Sequence, residues 1–291
     1  MKTLQEYAAL INEALPVQLA SLGYIPDQLL EAMNYSLAAG GKRLRPALLL
    51  AACEALGGSP DDALPFVCAL EMIHTYSLIH DDLPAMDDDD FRRGRPTSHK
   101  VFGEGMAILA GDGLLHAAME LMMRRAASMT DLRGAKAAEA IARRSGVTGM
   151  VAGQVMDVTG EGKEPTEEAV LYIHTHKTAD LITAPLEAGL ILAGADDALV
   201  KAGIAYGQHL GLAFQMVDDL LDVEGDVALL GKQTGMDAQR GKLTWVAIRG
   251  VDGTREDAAR HTQLAVEAIA PLGENAKFFM TLAQTALGRV Q

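Results

Sequence analysis

Two short acidic runs, each set against an apolar stretch, are the parts of this sequence best able to do chemistry. The first is HDDLPAMDDDD at residues 80–90, which follows the apolar run 66–79. The second is FQMVDDLLD at residues 214–222, inside the apolar run 210–223. In the second run Asp218 and Asp222 are one helical turn apart and share a face, and Gln215 joins that face from the turn before. Carboxylates held this close repel one another, and on an inward face they need a cation. Oxygen ligands of this kind suit Mg²⁺, which takes one or two carboxylates together with waters and substrate phosphate oxygens. In the first run Asp81 and Asp82 end the apolar stretch, and Pro84 disfavours a regular helix beyond them. A continued helix would bring Asp88 under Asp81, whereas a bulge over 83–86 would fold Asp87 back instead, and spacing alone leaves both open. Asp88, Asp89 and Asp90 read equally well as a solvated charge run.

Two dense basic clusters oppose a formal net charge of -14. GGKRLRP sets Lys42, Arg43 and Arg45 behind a glycine pair, and FRRGRPTSHK sets Arg92, Arg93, Arg95 and Lys100 directly after the first acidic run. Arginine forks bind phosphate bidentately, and lysine binds it as a point charge. Paired acidic and basic clusters point to two polyanionic substrates or one large one. No GxxxxGK[ST] or GxGxxG is present, so the glycines are not a nucleotide-cradling loop. The plainer reading of the arginines, above all Arg43 and Arg95, is pairing with surplus acids at the surface.

Helices must position these clusters. Apolar residues make up 49% of the 291-residue chain and aromatics only 4%, with Ala, Leu and Met abundant, which favours helix over strand. Ser59 before Pro60, Thr166 before Glu167-Glu168, and Thr254 with Asp257 downstream read as helix starts. No convincing alternating strand, fixed repeat or disordered linker is visible, so residues 1–291 read as one all-α domain of ten or more helices. The acidic surface makes nucleic acid and anionic lipid poor partners. No signal peptide is legible, and the most apolar stretches carry Asp112, His116, Glu120 and Glu187, so no membrane insertion is expected. Cys53 and Cys68 read as buried reduced thiols of a cytoplasmic protein. His80, His174 and His176 read as structural, and Met119, Met122 and Met123 as core packing.

Taken in order along nearly the whole chain, GGKRLRP, EMIHTYSLIHDDLPAMDDDDFRRGRPT, GDGLL, HKT at 176–178, GLAFQMVDDLLD and the Gly231-Lys232 pair resemble the trans-isoprenyl diphosphate synthases, most closely bacterial farnesyl diphosphate synthases. The resemblance implies an isoprenoid synthase fold, with helices around a central apolar cavity, as a homodimer. It implies condensation of isopentenyl diphosphate with dimethylallyl and geranyl diphosphate to give farnesyl diphosphate, with Mg²⁺ as cofactor, three ions when substrate is bound. By position, Asp81 and Asp87, with Asp82 alongside, would hold the ions on the allylic diphosphate. Asp218 would hold another, with Asp219 and Asp222 ordering its waters. Lys42, Arg45, His74 and Arg93 would bind isopentenyl diphosphate; Arg92, Lys177 and Lys232 would bind the allylic diphosphate; Thr178 and Gln215 would face the developing cation. The helix before Asp81 would line the chain-receiving cavity. There Ser77 lies one turn and Tyr76 roughly 7.5 Å before Asp81, with Tyr76 as a floor that sets product length. Within the family, the alternative is a geranylgeranyl diphosphate synthase. From a different class, His74, His80 and Asp81 would fit an HD-type metal phosphohydrolase whose histidines are metal ligands.

Overall fold

The structure is a computed structural model and describes residues 1–224, 235 and 240–288. Among these the regular elements are all helical apart from one very short hairpin, and the chain forms two compact units.

The first unit comprises Met1–Glu139 with Ile191–Gly194. Its elements are α1 (Leu4–Ala20), α2 (Asp27–Leu37), α3 (Leu44–Ala55), α4 (Pro60–Asp81), the strands β1 (Phe91–Arg92) and β2 (Arg95–Pro96), α5 (Ser98–Phe102), α6 (Glu104–Ser128) and the start of α7 (Arg133–Ser145). Helix α4 is the spine. Ser59 caps it by accepting from the Asp62 amide (3.3 Å), with Pro60 at the first position, a cap worth about 1 kcal/mol. Its middle is apolar on all sides, and Phe66, Leu70, Met72 and Ile73 are fully buried, as a helix enclosed by others requires. Gly111 of α6 sits under the His80 ring, where a Cβ would lie 2.1 Å from Nε2. That glycine lets α6 close on α4, and it accounts for the GDGLL sequence.

Helix α6 has the length and apolarity of a membrane span, with a mean hydropathy of 1.3 over its most apolar window, although none was expected. It carries Asp112 and Glu120, and 44% of that window is buried within the protein. Met122 is buried as expected, but Met123 is 65% exposed and belongs to the outer face of α6.

The second unit comprises Ala140–Leu190 with the chain from Ala195 onward. It holds the rest of α7, α8 (Met150–Gly160), α9 (Glu167–Ile173), a π-helical turn at His174–Ala179, most of α10 (Asp180–Leu192), α11 (Asp197–Glu224), α12 (Trp245–Ile269), a 3₁₀ turn at Ala270–Ala276 and α13 (Lys277–Leu287). Thr166 caps α9 through the Ala169 amide (3.2 Å). Val170, Ile173, Met216, Val217, Leu221, Leu243 and Trp245 form an apolar cluster joining α9, α11 and α12. Thr254 does not start a helix: it lies inside α12, past a kink at Gly250 (φ 66°), and its hydroxyl donates to the Gly250 carbonyl (2.7 Å).

The expectation of no strand is corrected at FRRGRP. Arg93 and Gly94 both have positive φ (54° and 74°), the conformation a two-residue hairpin turn requires, and Arg92 pairs with Arg95 across it. Strands two residues long are too short to show alternation in sequence.

Candidate active site

In the first unit the acidic cluster forms where α4 ends. After Asp81 the chain turns back on itself: the Met86 amide donates to the Leu83 carbonyl (2.8 Å) and the Asp87 amide to the Asp81 carbonyl (2.8 Å). The bulge thus brings residue 87 against residue 81, while Asp88 takes positive φ (50°) and is exposed. Carboxylates at a helix C-terminus meet carbonyl ends that are already partly negative, so this pairing calls for a cation. Asp82 is buried and held bidentately by Arg92, whose Nε donates to Oδ1 (2.7 Å) and Oδ2 (2.9 Å). Burial pushes the Asp82 carboxyl above its ordinary value and Arg92 opposes that shift. Asp89 lies 3.5 Å from Arg92, and Asp90 pairs with Lys100 at 2.6 Å.

The basic cluster lies in the same unit. Arg93, at the hairpin turn, donates to the Gly40 carbonyl and fills the space where a Gly41 side chain would stand. The glycine pair of GGKRLRP therefore admits a guanidinium. Arg45 Nη1 donates to His74 Nε2 (3.4 Å), while its Nε is buried with no hydrogen-bond partner among the described residues. Burial, then Arg93, lowers Arg45 to about 10 despite the compensating charge of Glu71. His74 is held well below its ordinary value by burial and by four neighbouring guanidinia, with Arg45 the largest of these, so its ring is neutral. Crowded cations with an unsatisfied N–H form a receptor for an anion. Lys42 is exposed beside them. Arg95 lies over the Tyr35 ring (4.4 Å). Arg43 is buried, not paired at the surface as its plainer reading had it.

Ser77 donates to the His74 carbonyl (2.9 Å). Tyr76 is 8% exposed and meets the His80 ring edge-on (5.8 Å, 80°), and His80 Nε2 donates to the Ile108 carbonyl (3.1 Å). With His80 on a backbone carbonyl and His74 on Arg45, these histidines are not arranged as metal ligands, and the hydrolase reading loses its basis.

The second unit carries the HKT sequence on its π-helical turn, a form concentrated at functional sites. Glycines let neighbouring helices close on that turn: a Cβ on Gly153 of α8 would fall 2.1 Å from the Lys177 amide nitrogen, and one on Gly211 of α11 2.3 Å from Ala179 Cα. Lys177 Nζ pairs with Asp157 (2.7 Å), as does Lys242 (2.8 Å). Burial pushes Asp157 up, but the two lysines outweigh it and hold the carboxyl below its ordinary value. The Thr178 hydroxyl donates to Gln215 Oε1 (2.7 Å), and Gln215 Nε2 donates to Asp219 Oδ1 (3.0 Å). Asp219 Oδ2 accepts from the Trp245 amide (2.7 Å) and lies 3.3 Å from His174 Nε2. Asp219 is thus committed to orienting Gln215 and Thr178 rather than facing solvent with Asp218. Asp218 is half-buried on α11, Asp222 is buried one turn on, and the Gly235 amide donates to the Asp222 carbonyl (2.7 Å). Gly231 and Lys232 lie outside the described residues.

Sequence reasoning missed Asp157, Lys242, Gly153 and Glu71. The glycine inside an apolar helical pattern was the one available signal, since such a glycine marks close approach. The donor sets are carboxylate oxygens at a helix end and on one helix face, which fits Mg²⁺ and not a soft or imidazole-seeking metal.

Residues 26–271 match the polyprenyl synthetase family, and the chain belongs to it. It is 49% identical to a farnesyl diphosphate synthase of Geobacillus stearothermophilus over 82% of this chain and 81% of that one. It is 47% identical to a heterodimeric geranylgeranyl pyrophosphate synthase large subunit of Arabidopsis thaliana, over 81% of this chain and 65% of that one. A solved structure described as an FPP/GFPP synthase from Zymomonas mobilis superposes with a TM-score of 0.86 at 33% identity, covering 97% of this chain and 98% of that chain.

Proposed function

We propose that this chain is a farnesyl diphosphate synthase, condensing isopentenyl diphosphate with dimethylallyl and then geranyl diphosphate. The observation that carries the reading is the pairing, in one unit, of a folded-back Asp81–Asp87 cluster with the crowded guanidinia of Arg45, Arg92 and Arg93, of which Arg45 Nε has no hydrogen-bond partner among the described residues. The family match crosses both units, which supports one synthase domain over residues 1–291.

Asp81, Asp87, Asp218 and Asp222 would hold Mg²⁺, three ions with substrate bound, and Asp82 would fix Arg92 beside them. Mg²⁺ held by these carboxylates would supply neutralising charge to the diphosphate that leaves when the allylic C–O bond breaks. Arg92, Lys177 and Lys232 bind that departing group. Thr178 and Gln215, ordered by Asp219, face the allylic cation. Lys42, Arg45, His74 and Arg93 hold isopentenyl diphosphate so that its double bond attacks the cation at close range. The new C–C bond forms, and the released proton passes to the departed diphosphate.

Tyr76 would stop the chain at farnesyl. Its ring rests on His80, which is itself fixed by the Ile108 carbonyl and seated over Gly111, so the floor is braced. A homodimer is supported by the apolar outer face of α6, where Ile108, Leu109 and Met123 are exposed. The free thiols of Cys53 and Cys68 suit the cytoplasm.

Diphosphate release from isopentenyl and geranyl diphosphate, followed in EDTA and after adding back Mg²⁺, tests the reading. Turnover should vanish and return; turnover indifferent to chelation would refute it.

A further inference from the structure

Arg43 is a buried cation of GGKRLRP, and the proposed reaction does not use it. It is 4% exposed, at positive φ (49°), between Lys42 and the start of α3. Each arm of its guanidinium finds an acceptor on a different helix. Nε donates to Asn12 Oδ1 of α1 (2.8 Å), Nη1 to Glu71 Oε1 of α4, and Nη2 to the Leu37 carbonyl. Leu37 ends α2, so Arg43 satisfies a terminal carbonyl that the helix leaves open. Glu71 is 2% exposed and lies one turn before His74 on α4. Its charge also acts on Arg45 and Arg93.

We propose that the buried Arg43–Glu71 pair is a clasp that holds the 40–45 loop in register with His74 and Arg93. Arg43 and Glu71 would thus be positioning residues for the isopentenyl diphosphate site. A backbone bent into a costly conformation persists only where surroundings enforce it, and here three helices do so. Without the clasp the loop relaxes, and Lys42 and Arg45 lose their aim at a diphosphate while the allylic half of the site is untouched. The inference rests on the synthase reading.

The experiment measures both Michaelis constants and kcat for Arg43→Met, Glu71→Gln and the double variant Arg43→Met/Glu71→Leu. The double variant removes the charge pair whole, which proteins tolerate better than a widowed buried charge. We expect the KM for isopentenyl diphosphate to rise about tenfold, with the KM for geranyl diphosphate and kcat held within about twofold. Arg43→Lys should restore part of the loss, since lysine reaches only some of the three acceptors. An unchanged KM for isopentenyl diphosphate in the folded double variant overturns the clasp. So does a lower KM in Glu71→Gln, because deleting a negative charge would then help the anion by electrostatics alone. Calorimetry with inorganic diphosphate is run alongside. Wild-type protein that binds diphosphate without prenyl transfer refutes the synthase reading, and the clasp is then judged by whether Arg43→Met weakens that binding.

Discussion

The two units hold their candidate functional residues by opposite means. The first uses strained loops. All three non-glycine residues with positive φ among the described residues, Arg43, Asp88 and Arg93, belong to it. It also leaves Arg45 Nε without a hydrogen-bond partner among the described residues, and His74 is kept neutral by burial and by the surrounding guanidinia. The second is helical throughout, and its partners are internal: Lys177 and Lys242 share Asp157, and Thr178, Gln215 and Asp219 form a chain of hydrogen bonds. The cluster in the first unit therefore carries charge suited to an anion, whereas the lysines named in the second are already paired with a carboxylate. Strain collects where the backbone is aimed at a ligand, and rigidity where a side chain must be held still.

The largest effect should come from the first unit. Asp81→Ala should lower kcat about a thousandfold or more without unfolding the protein, as removal of a group that holds transition-state charge does. A loss under tenfold, measured with labelled isopentenyl diphosphate, would place the ions elsewhere. In the second unit the sensitive point is packing. Gly153→Ala should push the π-helical turn away from α8, costing about 1–3 kcal/mol in stability and about a hundredfold in kcat. Equal losses of kcat in Gly153→Ala and in a surface control such as Gly288→Ala would erase the contrast between the units.

Tyr76→Ala should change what is made more than how fast, with geranylgeranyl or longer products at a rate within about tenfold of wild type. An unchanged farnesyl product would refute the floor.

The smallest effect should be electrostatic. An Asp157 carboxyl held below 3.8 gives stability that is present above that pH and is lost as pH falls through its lower folded value. The stability margin of wild type over Asp157→Asn, read by urea melts, should therefore shrink from about pH 5 to about pH 3. A margin equal at both would show that the two lysines do not hold the charge.

What the sequence disclosed followed from range. Asp218, Asp222 and Gln215 are legible because a helix brings residues one turn apart together, and His74, Tyr76 and Asp81 because they share one apolar helix. The choice between Asp87 and Asp88 was not legible, since it turns on one amide reaching back to the Asp81 carbonyl. Asp157 escaped notice because its partners lie 20 and 85 residues away. The π-helical turn at His174–Ala179 has the composition of an ordinary helix, and only the glycines opposite mark it. Arg43 looked like a surface charge because nothing local announces Glu71, 28 residues on, as its buried partner. Thr254 looked like a cap because a kink at Gly250 and a helix start share the same residue types.

The most direct test is the length of the product. Purified protein is incubated with labelled isopentenyl diphosphate, dimethylallyl or geranyl diphosphate and Mg²⁺, and the alcohols are resolved after phosphatase treatment. The account predicts farnesol from either primer. Geranylgeraniol would contradict the Tyr76 floor, and no incorporation at all would contradict the synthase itself.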